Sequence, residues 1–244
     1  MQTRILLGLI LATWFLASSV CAKTADEWLD TVDRNMTYKA AEWEARMIIH
    51  TPGGREREFG LIGKVEGETR ALMEYTDPPR ERGVRYLKRD DQLWIYFPRQ
   101  DRTMLVQGHM LREGVQGGDF SYEDMTESKT LRDKYTASIV KETDSTVVIE
   151  MEGKDLSMSY PYRKIFIDKR TGVAMRTILS GVDNQPIKEM QVRELKKIGN
   201  RQYPMDTEIR SLLVEDKWTR WIMTDIRFVD SFPDGTFTKQ RLEE

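Results

Sequence analysis

The chain has 244 residues with 38 Lys and Arg against 40 Asp and Glu, a formal net charge of −2, and charged residues make up 32% of it. Two nearly balanced signs describe a solvated exterior and exclude nucleic acid as the partner, which would call for a clustered basic surface. The single cysteine, Cys21, leaves no disulfide framework, so the fold must rest on a hydrophobic core, which this length permits.

Met1–Ala22 opens with Arg4, runs apolar from Ile5 to Leu16, and ends in small residues before the polar Lys23. A charged start, an apolar run too short to span a bilayer and small residues at a polar junction predict a secretory signal peptide, with Val20 and Ala22 at positions −3 and −1 of the cut. A lipoprotein signal acylated at Cys21 is the rival, and Val20 and Ser18 do not suit it. Residues 1–22 are therefore expected to be cleaved, leaving a single exported domain over residues 23–244.

From Lys23 to Met36 the period is helical. Thr24 and Glu27 have capping-box spacing, and Trp28, Leu29, Val32 and Met36 share a face. Beyond it the period changes to two. Trp43, Ala45, Met47 and Ile49 alternate with more polar neighbours, Thr51-Pro52-Gly53-Gly54 turns the chain, and Phe59, Leu61, Gly63 and Val65 alternate again. Similar runs at Thr69–Tyr75, Val84–Leu87, Leu93–Phe97 and Thr103–Val106 predict four more strands. Gly108–Gly118 reads as a loop, and Asp119–Met125 as a short helix with Ser121 and Asp124 at N-cap and N3 spacing. Strand patterns resume at Tyr135–Lys141, Val147–Met151, Tyr162–Ile167, Val173–Leu179, Ile187–Leu195, Tyr203–Leu213 and Trp218–Val229.

About a dozen strands joined by short turns form an antiparallel meander. So few helices cannot bury one face of so large a sheet, and the sheet must curl around an apolar interior. The predicted architecture is mainly β (α+β): a strongly curved antiparallel half-barrel of about a dozen strands, closed by a few helices around an apolar cavity. Candidates for its lining are Trp43, Met47, Trp94, Tyr96 and Trp221. In Leu93–Phe97 the two faces are both apolar, with Trp94 and Tyr96 opposite Leu93, Ile95 and Phe97. Trp218 and Trp221 lie on opposite faces, so at most one of them points inward.

The sequence contains no Gly-x-Ser-x-Gly elbow, phosphate-binding glycine loop or His-Glu-x-x-His pair. Two histidines, His50 and His109, make a zinc site improbable, and no cofactor is expected. Ser138 and Lys141 match Ser-x-x-Lys, but in a strand these two side chains face opposite ways. A hydrolase of envelope lipids or glycans therefore has no motif in its favour.

Tyr75-Thr76-Asp77-Pro78-Pro79, Arg82–Leu87 and Leu93–Pro98, followed by Gly117-Gly118-Asp119-Phe120-Ser121-Tyr122-Glu123-Asp124-Met125 and the closing Phe237–Leu242, resemble the outer-membrane lipoprotein-sorting proteins of the LolA-like superfamily. In the branch that carries the second signature, Gly118 stands where a serine is usual. The resemblance implies an incomplete barrel whose cavity takes the acyl chains of a lipoprotein, or of a lipid, crossing the periplasm without chemical turnover. It also implies an inner-membrane transporter and an outer-membrane acceptor as partners. An arginine on the first strand helps hold the lid shut in such proteins, and Arg46 is the nearest equivalent. Asp119, Phe120, Tyr122 and Asp124 are the candidates for a lid or partner-docking role. The alternative function is an envelope-stress sensor that uses the same half-barrel to contact a membrane regulator or transporter.

Overall fold

The computed structural model describes residues 22–126 and 130–244. The expected signal peptide, up to Cys21, lies outside the described residues.

Helix α1 (Ala25–Met36) starts where the sequence places its cap: Thr24 Oγ1 accepts from the backbone N–H of Glu27, and the Thr24 N–H donates to the Glu27 carboxylate at 2.8 Å. Strands β1 (Ala40–Thr51), β2 (Arg55–Glu66), β3 (Arg70–Asp77), β4 (Arg85–Arg89), β5 (Gln92–Phe97) and β6 (Arg102–Val106) form a first meander. Two short 3-10 turns, Gly108–Arg112 and Val115–Gly117, lead to α2 (Tyr122–Thr126) and α3 (Leu131–Lys134). A second meander follows: β7 (Tyr135–Glu142), β8 (Thr146–Gly153), β9 (Tyr162–Asp168), β10 (Val173–Ser180), β11 (Pro186–Ile198), β12 (Arg201–Ser211) and β13 (Trp218–Val229). The chain closes with α4 (Lys239–Glu243).

All 13 strands belong to one antiparallel sheet in the order β6-β5-β4-β3-β2-β1-β13-β12-β11-β10-β9-β8-β7. Every ladder joins sequence neighbours except β1–β13, which welds the two meanders. The sheet does not close. Its free edges are β6 and β7, and the segment between them carries the 3-10 turns, α2 and α3 from one edge to the other. The expected half-barrel is therefore the observed one.

Two solid cores fill much of the inner face. In the first, Met47 and Ile49 of β1 meet Phe59, Leu61, Met73, Tyr75, Tyr86, Leu93 and Ile95 of β2–β5, with Val115 above them. In the second, Trp28, Leu29 and Val32 of α1 cover Tyr135, Val147, Ile149, Met151, Ile165 and Ile167. These are the alternate residues that the period-2 pattern assigns to one face. The Pro-Gly-Gly turn between β1 and β2 places Gly53 and Gly54 at φ +91° and +78°, left-handed values at which a side chain would be strained.

The mid-chain helix starts later than the sequence suggests. Asp119 and Phe120 precede it in a bend, and Ser121 caps it: Ser121 N–H donates to Asp124 Oδ2 at 2.7 Å, and Asp124 N–H to Ser121 Oγ at 3.1 Å. Helices α3 and α4 were not anticipated, since four and five residues are too few to establish a period. No helix among the described residues is long and apolar enough to cross a membrane.

Candidate functional site

Between the two cores the inner face of β9–β13 is only partly filled by side chains, Leu179 and Ile209 packing with Phe120 and Met190 at one end. A cavity of about 600 Å³ lies there, roofed by α1, α2 and the chain around Val115 and Phe120. Six of the 13 methionines line it, Met36, Met47, Met73, Met125, Met190 and Met223, together with Tyr75, Phe120, Tyr203 and Trp221. Soft, unbranched thioethers adapt to irregular apolar guests, so this wall suits flexible hydrocarbon. Met36 is 47% exposed and marks the mouth at the end of α1.

Polar groups reach the cavity at few places, and most are engaged in structure. Asp33 of α1 accepts from the Leu131 N–H at 3.1 Å, which joins α1 to α3. Partial burial raises its carboxyl to about 6, although the backbone donors oppose the shift. Asn35 donates to the carbonyls of Thr171 at 3.2 Å and Gly172 at 3.1 Å, which fixes α1 to the β9–β10 turn.

The roof is anchored at its other end by buried hydrogen bonds. Thr219 of β13 accepts from the Asp119 N–H at 2.8 Å and donates to Asp119 Oδ2 at 2.9 Å, and Lys217 Nζ stands 3.7 Å from Asp119 Oδ1. Burial nonetheless raises the Asp119 carboxyl above the usual range, with Thr219 and the lysines pulling the other way. Lys188 of β11 donates to the Asp119 carbonyl and to the Tyr160 hydroxyl, both at 2.6 Å, and lies 3.9 Å from Asp124. Desolvation pushes the Lys188 ammonium down. At Gly118 an added Cβ would stand 2.9 Å from Thr219 Oγ1 and 3.1 Å from Ile49 Cδ1, so the glycine lets the roof sit directly on β1 and β13.

Met47, Trp221, Phe120 and Asp124 are thus brought together at the cavity. Trp43 flanks it, edge-on to Trp221 at 5.6 Å, and Phe120 meets the same indole at 6.1 Å. Trp43 lies across Gly63 of β2, whose missing Cβ would fall 2.2 Å from Cζ2. Asp119 holds the roof in place, and Tyr122 stacks on Tyr86 at 6.2 Å beside it.

Three sequence candidates stand elsewhere. Trp94 and Tyr96 point to the convex face, away from the cavity, because their neighbours Leu93 and Ile95 take the inner one. What covers them is the C-terminal segment: they pack with Leu87, Phe237 and Leu242, Lys239 lies over the Trp94 ring at 4.6 Å, and Arg85 donates to the Leu242 carbonyl at 3.1 Å. Arg46 alternates with Met47 and so faces outward, where it pairs with Glu58, its Nη2 2.9 Å from Oε2. Among the described residues its side chain bonds to Glu58 of β2 and not to α1 or α2.

Sequence reasoning missed Asp33, Lys188 and Thr219. Only the position of Asp33, one residue after the buried Val32 on the apolar side of α1, carried a local signal. A larger cleft of about 1120 Å³ lies on the convex face under the C-terminal segment, but charged groups such as Glu42, Glu44, Lys64, Glu74 and Arg85 line it and fit it poorly for hydrocarbon.

A family model described as "Uncharacterized protein" matches residues 67–244. The chain belongs to that family. No curated protein matches the sequence. Its fold is LolA-like. A solved structure described as an outer membrane lipoprotein-sorting protein domain, from Vibrio parahaemolyticus, superimposes with a TM-score of 0.77 at 18% identity, covering 88% of this chain and 98% of that one. A LolA superfamily protein from Nitrosomonas europaea gives 0.74 at 16% identity, over 90% of this chain and 100% of the other. A DUF1329 family protein from Desulfovibrio piger gives 0.80 at 17% identity, over 91% and 100%. The LolA-like sheet and roof thus extend over nearly the whole described chain.

Proposed function

We propose that this protein is a periplasmic carrier that takes acylated cargo, a lipoprotein or a lipid, into its apolar cavity and moves it towards the outer membrane without chemical turnover. The observation that carries the reading is the methionine-lined cavity between the curved sheet and its helical roof. Burying acyl chain is favourable by about 0.8 kcal/mol per methylene, so a 16-carbon chain gains on the order of 10 kcal/mol before the costs of association. The same gain holds the chain in a bilayer, so the cavity can keep it out of water between two membranes with no reaction.

The polar groups around the cavity favour binding over chemistry. Asp33 and Asn35 tie α1 down, while Asp119 and Lys188 hold the roof. Unloading then follows from differential affinity: an outer-membrane acceptor with a better apolar site draws the chain out, and an inner-membrane transporter loads it. The test is mass spectrometry of lipid extracted from protein purified gently from the periplasm. A stoichiometric acylated species supports the carrier. Protein that comes out empty and takes up no fluorescent fatty acid refutes it.

A further inference from the structure

Among the described residues eight large hydrophobic side chains are exposed, and five of them share one end of the sheet. Leu156 lies on the β8–β9 turn, Val182 on the β10–β11 turn, and Leu212, Leu213 and Val214 on the β12–β13 turn. Turns that follow β8, β10 and β12 of an antiparallel meander all lie at the same end, and these three are consecutive along its rim. Val182 and Leu213 stand out furthest, at 76% and 72% exposure. The other end holds the β9–β10 turn, to which Asn35 ties α1, and with it the mouth at Met36. Polar residues are the rule on turns, so aliphatics gathered on three adjacent ones mark a contact surface.

The turns hold these side chains out on a fixed backbone. The Leu212 N–H donates to the Ile187 carbonyl at 2.9 Å, which joins the β12–β13 turn to β11. Ser211 Oγ accepts from the N–H groups of Leu213 at 3.2 Å and Val214 at 3.0 Å. Asp183 Oδ1 takes the Gln185 N–H at 3.1 Å, and Asp155 Oδ1 the Ser157 N–H at 2.9 Å. Each turn thus caps backbone donors of its own, and entry into lipid does not strand those donors. The number and charge of the side chains also favour lipid over protein. A stable protein interface takes about 20–30 residues a side, whereas five aliphatics on three separate points suit a soft surface that closes around each. The three turns carry Lys154 and Lys217 against Asp155, Asp183, Glu215 and Asp216, so two cations less four acids leave −2. That charge opposes an anionic bilayer and suits headgroups that carry both signs.

We infer that this rim docks on the surface of a zwitterionic bilayer, with Val182 and Leu213 in the headgroup layer. The mouth at Met36 then faces away from the lipid, so the contact tethers the protein and leaves the mouth free. Docking of this kind does not depend on what the cavity holds.

The test is flotation of the purified protein with vesicles of phosphatidylcholine, alone or mixed with phosphatidylglycerol, at low and high salt. The protein is expected to float with the zwitterionic vesicles, indifferent to salt, and to float less with the anionic ones. Leu213→Asp and Val182→Asp should each weaken that binding about tenfold, with Tm and fatty-acid uptake in solution unchanged. An NBD probe at Leu213→Cys should shift to the blue on the vesicles. The same probe at Asn200→Cys, on the β11–β12 turn at the other end, should not. The inference is overturned if the wild type does not float, if it prefers the anionic vesicles, or if both aspartate variants bind as well as it does. A concentration-dependent dimer that Leu213→Asp dissolves would also overturn it, by assigning the turns to a second copy of the chain. All of these outcomes leave the carrier reading standing, because fatty-acid uptake is measured without vesicles.

Discussion

Thr219→Val tests whether the roof is held by its buried hydrogen bonds or merely rests there. Valine keeps the shape of threonine, so no cavity opens at this fully buried position. It removes an acceptor 2.8 Å from the Asp119 N–H and a donor 2.9 Å from Asp119 Oδ2. Leaving a buried N–H without a partner costs about 1–3 kcal/mol, and a carboxylate oxygen that loses its donor adds a similar amount, although Lys217 compensates part of it. The expected loss is about 3 kcal/mol, or a drop of about 6–12 °C in Tm for a chain of this size. Urea unfolding of wild type and variant, with the midpoint shift converted at a common slope, measures it. Thr219→Ser restores the hydroxyl and should recover most of the loss. A fatty-acid probe should also exchange faster from Thr219→Val, because the roof over Phe120 loosens. A stability change below about 0.5 kcal/mol, the range of ordinary surface substitutions, would refute the anchoring argument.

Other outcomes follow from the same geometry. Gly63→Ala should expel the Trp43 ring from its place against Trp221 and cost about 1–3 kcal/mol, visible as a red shift in tryptophan emission. Trp94→Ala should destabilise the fold by about 3 kcal/mol yet leave fatty-acid affinity unchanged, whereas Trp221→Ala should alter affinity; a Trp94→Ala protein that folds but loses ligand would show the convex face to be a binding surface. Asp33→Asn keeps an acceptor for Leu131 N–H but removes the charge. The Asp33 carboxyl titrates near 6 in the fold against an ordinary 3.8, so its protonated form stabilises the fold below about pH 4, and that contribution is lost as pH rises through 6. Urea midpoints should therefore place Asp33→Asn ahead of wild type at pH 7.5 by about 1 kcal/mol, the full shift being screened at a half-exposed site, and bring the two together at pH 4.

The strands were legible because each is a period-2 run closed by turn chemistry, and β13 falls where the sequence places it, Trp218–Val229. The cap of α1 was legible for the same reason: Thr24 and Glu27 are three residues apart and meet locally. What a strand apolar on both faces does with each of them was not. The side chains of β5 are buried from Leu93 to Tyr96, and the element covering Trp94 and Tyr96 includes a five-residue helix whose bond to Arg85 reaches back 157 residues. Arg46 could have been placed outside from alternation alone, since Met47 beside it cannot share its face. Thr219 and Lys188 had no such signal, because their partners, Asp119 and Tyr160, lie 100 and 28 residues away.

The strand order also sets a timetable for folding. Twelve ladders join the 13 strands, and all but one are closed by sequence neighbours, β6 and β7 being the unpaired ends. Local pairings of this kind form with little loop-closure entropy and early. The exception, β1–β13, brings Ala40–His50 against Trp218–Val229, and it waits until almost the whole chain is in place. Until then the two meanders are separate sheets, each with an extra unpaired edge, and the chamber lacks the wall that Trp221 and Met223 provide. A chain stalled or cut before residue 218 would therefore be both empty and adhesive, and the last strand is the step at which the protein becomes able to receive a guest.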